Sequence, residues 1–189
     1  MLGVLAMVMA FVGYIPYFKD TLAGKTKPHV ISWFLWTLVS FLAFGLQWSK
    51  GAGAGSYANF AMGLISLALF LYSLKNGTKD VKYADIVSFV LALLAIILWL
   101  LVNQPVWSIV LIVLIDALSF APTFIKSWRM PYQETLVTWL LSSARQGLVL
   151  FSLASVNFVT AAFPAYALVA NALFCVLLIT RRRSVESGA

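Results

Sequence analysis

Charged side chains are scarce in this chain: Asp, Glu, Lys and Arg make up 10% of its 189 residues, with 6 acidic residues against 13 basic ones. A single cysteine, Cys175, excludes an intramolecular disulfide and a thiolate metal cluster. It lies inside an apolar run and reads as a small core residue. A single histidine, His29, sits in a basic turn, which leaves neither a histidine metal site nor a Ser-His hydrolase supportable. There is no Asp-rich pair and no catalytic dyad, so no intramembrane enzyme is expected, with no catalytic residue, metal or cofactor. The glycine run Gly51–Gly55 lacks the Lys-Ser/Thr of a phosphate loop and reads as a flexible external loop. No lysine occurs in the last apolar run, which argues against a retinal protein. No Lys or Arg precedes Lys19, so a signal peptide is not expected.

What the chain has in quantity is hydrocarbon. Hydrophobic residues make up 62% of it and the mean hydropathy is +0.96, far above an ordinary soluble domain. A spanning helix needs about 20 apolar residues to cross roughly 30 Å of hydrocarbon, so the length accommodates about seven spans and no separate soluble domain. They are expected near 1–18, 30–48, 56–74, 83–103, 105–126, 134–153 and 158–180. The breaks carry Gly, Pro, Asn or charge.

The formal net charge of +7 would suit nucleic acid only if the basic residues shared one water-facing surface. They fall in loops instead, and nucleic acid is not an expected partner; the lipid bilayer is. Lys19, Lys25, Lys27, Lys75, Lys79, Lys82, Lys126, Arg129, Arg181, Arg182 and Arg183 lie in alternate loops or after the last span, whereas Lys50 alone occupies the opposite loops and Arg145 lies within a span. The positive-inside rule then predicts an integral membrane protein, of a bacterial inner (plasma) membrane, with its N-terminus outside and its C-terminus cytoplasmic, which requires an odd number of spans. The glycosylation pattern Asn76-Gly77-Thr78 falls on the cytoplasmic side in this reading.

The chain repeats itself. Pro16-Tyr17-Phe18, a basic loop and Ser32-Trp33 recur as Pro122-Thr123-Phe124, a basic loop and Thr138-Trp139; Pro16 to Trp33 and Pro122 to Trp139 are each 17 positions, without a gap. Each copy opens a three-span unit. The organisation expected is a first three-helix repeat over 1–75, a linker helix over 76–104, a second repeat over 105–183 and a disordered tail over 184–189. The fold class is therefore an all-α polytopic membrane protein with seven transmembrane helices, two parallel three-helix bundles joined by a linker helix in a 3+1+3 plan. The linker restores a parallel arrangement and leaves a site between the bundles near the bilayer midplane.

This plan, the outward N-terminus and the proline turns resemble the PQ-loop superfamily, which includes the SWEET and SemiSWEET sugar transporters. Pro122-Thr123-Phe124 with Glu134 twelve residues on is similar to the turn between the fifth and sixth helices of SWEET proteins. In place of the Pro-Gln pair that names the superfamily, the copies read Pro16-Tyr17 and Pro122-Thr123. The resemblance implies alternating-access movement of a small solute, a sugar or similar polar metabolite. It also implies a substrate role for an asparagine in the third and seventh spans, where Asn59 and Asn171 stand. The alternative function is a seven-helix receptor or sorting protein without net transport. A homo-oligomer is left open.

Particular residues carry the expectation. Proline within a helix frees a carbonyl and permits bending, so Pro16, Pro122 and Pro164 are hinge candidates, although Pro16 and Pro122 read equally well as helix ends. Trp33, Trp36 and Trp139 offer flat faces and an N–H to a solute; Trp33 and Trp139 equally suit the interfacial belt to which Trp48, Trp107 and Trp128 are assigned. Asp116 and Arg145 are charges inside apolar runs, each costing roughly 2.5–3.5 kcal/mol on insertion scales. Each lies about 16 Å from the same membrane face at about 1.5 Å per residue. They are expected to meet near midplane as an ion pair, structural or coupled to proton movement. The repeat aligns Ala10 and Val39 with them.

Overall fold

The computed structural model describes residues 1–77, 81, 83–101 and 104–187. Thr78, Lys79 and Lys82, named above, lie outside them. Among the described residues seven α-helices follow in order: α1 Leu2–Leu22, α2 Val30–Ser49, α3 Tyr57–Asn76, α4 Tyr83–Leu101, α5 Pro105–Arg129, α6 Leu136–Ser152 and α7 Phe158–Ser187. Short 3-10 turns, Gly53–Ser56 and Pro131–Gln133, precede α3 and α6. No strand occurs among the described residues. The protein is all-α and polytopic. Among the described residues five stretches, 2–22, 30–49, 53–76, 105–129 and 158–185, are long and apolar enough to cross a membrane; α6 is a shorter helix of 17 residues that carries Arg145.

The distribution of polarity is inverted relative to a water-soluble protein. Leu5, Val8, Phe11, Val12 and Ile15 of α1, Ile86, Val90, Leu94 and Ile97 of α4, and Val169, Leu173 and Val176 of α7 are exposed, while Ser32, Ser40, Asn59, Ser66, Ser119, Thr123, Thr138 and Ser142 are buried. Aliphatic faces this extensive cannot stand in water. In lipid they need no cover, and the serines and threonines take the inside because they permit close backbone approach and bond to nearby carbonyls. Thr37 to the Trp33 carbonyl (2.8 Å) and Ser119 to the Ile115 carbonyl (2.7 Å) are examples.

Packing follows a repeated order. In the first triad α3 lies between α1 and α2; in the second α7 lies between α5 and α6. The triads meet through two crossed pairs, α1 on α6 and α2 on α5, which exchange under the same numbering shift that superposes the proline motifs. The fourth helix packs along α5 and touches α2.

Three expectations need correction. First, Pro16 and Pro122 do not end their helices: α1 continues to Leu22 and α5 to Arg129. Second, the glycine run is not a free loop. Gly51 and Gly53 adopt φ of 81° and 57°, where a side chain is disfavoured, and Ala52 is fully buried. A Cβ on Gly3 of α1 would lie 2.4 Å from the Ala54 carbonyl oxygen, so the turn is seated directly on the first helix. Third, the tail expected to be disordered from residue 184 is helical to Ser187. Its arginines explain why: Arg181 donates to the Trp128 carbonyl (3.0 Å) and stacks on the Trp128 ring at 4.6 Å, and Arg182 donates to the carbonyls of Pro131 (3.2 Å) and Glu134 (2.6 Å). Cation–π stacking and charge-assisted bonds hold this last stretch against α5 and the following turn.

Candidate solute-binding cavity

Between the triads lies a cavity of about 40 Å³, to which all six of their helices contribute. That volume holds on the order of three waters. The repeat is visible in its walls. Tyr14 and Phe120, Trp36 and Ser142, and Ser40 and Gln146 are pairs related by the motif shift, and all six residues line the space. Trp36, Phe120 and Trp139 form one continuous aromatic wall, with ring centroids 4.9, 5.6 and 5.7 Å apart. Trp139 is further fixed by its indole N–H, which donates to Glu134 Oε2 at 3.1 Å.

Of the tryptophans singled out from sequence, Trp36 and Trp139 line the cavity. Trp33 does not. It is 1% exposed and packs edge-on among Tyr14, Tyr17 and Trp36 at 5.0 to 6.0 Å. Neither Trp33 nor Trp139 belongs to an interfacial belt, since both are buried in the core. Trp48, Trp107 and Trp128 are exposed at helix ends, as a belt requires.

Asn59 and Asn171 both line the cavity, and each is also committed elsewhere. Asn171 donates to the Ala167 carbonyl at 2.6 Å, one turn back in its own helix. Asn59 donates to Gln47 Oε1 at 2.7 Å, and Gln47 Nε2 donates to the Thr160 carbonyl at 3.1 Å. Thr160 lies four residues before Pro164, so its carbonyl is the one that Pro164 cannot bond. A side-chain relay from α3 through α2 thus satisfies the backbone defect that proline makes in α7 of the other triad.

Asp116 and Arg145 also face this cavity and are 5% and 3% exposed. They do not form the expected ion pair. Salt bridges form elsewhere, joining His29 to Asp85 and Lys126 to Glu134. The physical reason is the order of packing: α5 and α6 are held apart by α7, so the two charges look into the gap from separate helices. The Tyr166 hydroxyl interacts with the Asp116 carboxyl, yet Asp116 Oδ2 has no hydrogen-bond partner, nor does Arg145 Nε, nor the neighbouring Gln146 Oε1. Arg145 Nη1 reaches the Ala58 carbonyl only at 3.5 Å. Buried polar atoms are ordinarily satisfied; here three unsatisfied ones cluster around one cavity.

Contacts between the triads lie toward both ends of the bundle. At the basic end Thr26 Oγ1 and Thr135 Oγ1 are 2.7 Å apart, and Thr135 Oγ1 is also within 2.8 Å of Asp20 Oδ2. Thr123 donates to Ser32 Oγ at 3.0 Å. Lys126 donates to the Lys27 carbonyl at 2.8 Å and pairs with buried Glu134. At the opposite end the Gln47 relay crosses the seam, and Gly55 lies so close to Leu153 that an added Cβ would stand 3.0 Å from its side chain.

Sequence reading missed Tyr14, Gln47, Ser142, Gln146 and the Lys126–Glu134 pair. The repeat shift would have found Ser142, as the partner of Trp36. Gln47 carries no such signal. Compared with known proteins, the chain matches no family model, no curated protein and no solved structure.

Proposed function

We propose that this protein is a small-solute transporter in which two three-helix halves rock about a central site, exposing it to one side of the membrane and then the other. One observation carries the reading: a cavity with unsatisfied buried polar groups, lying between two triads of the same packing order, with polar contacts crossing the seam toward both ends of the bundle. Such contacts break and re-form at modest cost because water replaces them on whichever side opens. The aliphatic seal of an ordinary core would not exchange in this way. Pro16, Pro122 and Pro164, each inside a helix, supply points where the backbone ladder is already interrupted.

On this reading the chain is a PQ-loop-type carrier of the 3+1+3 plan, with the basic end cytoplasmic and the N-terminus outside. The site takes a polar metabolite against the Trp36 and Trp139 wall, with Asn59, Asn171, Asp116 and Arg145 around it, either as a facilitator or with proton coupling through Asp116. Uptake into proteoliposomes of a panel of sugars, nucleosides and amino acids, at several pH gradients, tests it. Saturable uptake of at least one class is the expected result. Binding without flux of any bound solute would favour a receptor.

A further inference from the structure

Two opposite charges that share a cavity without touching pose a problem of chemistry. A structural pair would close to contact distance, because each buried ion is stabilised most by the other. Here Asp116 and Arg145 stand apart on α5 and α6, each with an atom unsatisfied, while Lys126 and Glu134 in the same half do close on each other. We infer that the central cavity takes a small zwitterion, its ammonium group set on Asp116 and its carboxylate on Arg145. The inference rests on the site described above as the solute site.

Three features of the cavity converge on that class. A neutral polyol would meet the hydrogen-bonding needs of the two buried side chains but leave both charges without counterions, whereas one zwitterion neutralises both at once. The guanidinium offers a planar fork matched to a carboxylate, and the wall of Trp36, Phe120 and Trp139 beside it suits an ammonium-bearing carbon with little or no side chain. Size points the same way. Room for on the order of three waters fits a solute of few non-hydrogen atoms, such as glycine or alanine, far better than a hexose. Gln146, with Oε1 unpartnered, supplies a further acceptor for the ammonium group.

The test compares five probes that separate the charges: L-alanine, glycine, propionate, ethylamine and glucose. Binding to the purified full chain is read by calorimetry and by tryptophan fluorescence, and movement by uptake into proteoliposomes. Alanine and glycine are expected to bind about tenfold or more tighter than propionate or ethylamine, with glucose weakest. Asp116→Asn should erase the preference for alanine over propionate, and Arg145→Gln the preference for alanine over ethylamine, while Arg145→Lys retains most of it. A purely structural role for either residue would weaken all probes alike and overturn the assignment. The wild-type panel decides alone should a variant fail to fold: alanine and glycine binding no better than propionate, or glucose being bound in their place, overturns the inference. Glucose flux without alanine binding would sink the ligand class and leave the carrier standing; alanine binding without flux would do the reverse.

Discussion

Gln47 illustrates how a single side chain can link halves of a membrane protein. Its amide accepts from Asn59 and donates to the Thr160 carbonyl that Pro164 leaves free, 113 positions along the chain, so the proline is tolerated because a distant residue completes its bonding. Leaving a buried carbonyl unpaired costs about 1–3 kcal/mol, and somewhat less where the unfolded reference remains in detergent or lipid. Gln47→Leu is therefore expected to lower the thermal unfolding midpoint in detergent micelles by an amount corresponding to about 1 kcal/mol or more. Pro164→Ala restores an amide that can bond the Thr160 carbonyl within α7, so the Gln47→Leu penalty should shrink in that background. A double-mutant cycle reads the coupling; an undiminished penalty would mean that Gln47 acts elsewhere. Pro164 stood out in the sequence as a hinge candidate, but Gln47 did not, since a glutamine near a helix end looks like any polar boundary residue. Asp116 and Arg145 did stand out, because charge inside hydrocarbon is rare. Their separation was not legible: that depends on α7 lying between their helices, which no spacing along the chain encodes.

At the level of elements, hydropathy located all seven helices, and the ends that differ do so for identifiable reasons. Proline predicts a stop, yet α1 and α5 run on, because the following turn of each still packs in the bundle. Helix α7 outlasts its apolar run because Arg181 and Arg182 find an aromatic face each. How closely two helices approach is likewise set by single small residues, as α2 and α3 show. A Cβ built on Gly63 would come within 2.6 Å of the Phe41 ring, which in turn packs against Phe60 at 6.0 Å. Gly45, on α2, has nothing within 4 Å of the same position. Gly63→Ala should accordingly destabilise by about 1–3 kcal/mol through overpacking, whereas Gly45→Ala should be neutral or stabilising by up to about 1 kcal/mol, since alanine restricts the unfolded chain and favours helix. Parallel thermal melts of the two variants provide the check, and equal effects would contradict the packing described.

For the whole molecule the decisive property is symmetry with a defect. The crossed contacts of α1 with α6 and α2 with α5 make the halves exchangeable, while Asp116 and Arg145 replace Ala10 and Val39 on one side only. Under the proposed carrier function, a symmetric frame can rock between two equivalent tilts while an asymmetric site gives the solute one orientation through both. If the halves do separate at the basic end during the cycle, tying them there must stop it. Thr26 and Thr135 are suited to this, their hydroxyl oxygens being 2.7 Å apart across the seam, near enough for cysteines to bridge with little backbone movement. In a Cys175→Ala background, Thr26→Cys with Thr135→Cys should cross-link under mild oxidation. Uptake of whichever solute the protein carries should then fall to the level of empty vesicles, and reduction should restore it, with each single cysteine leaving uptake near that of the parent. Full uptake in the cross-linked protein would show that the seam stays shut throughout, and alternating access between these halves would have to be abandoned.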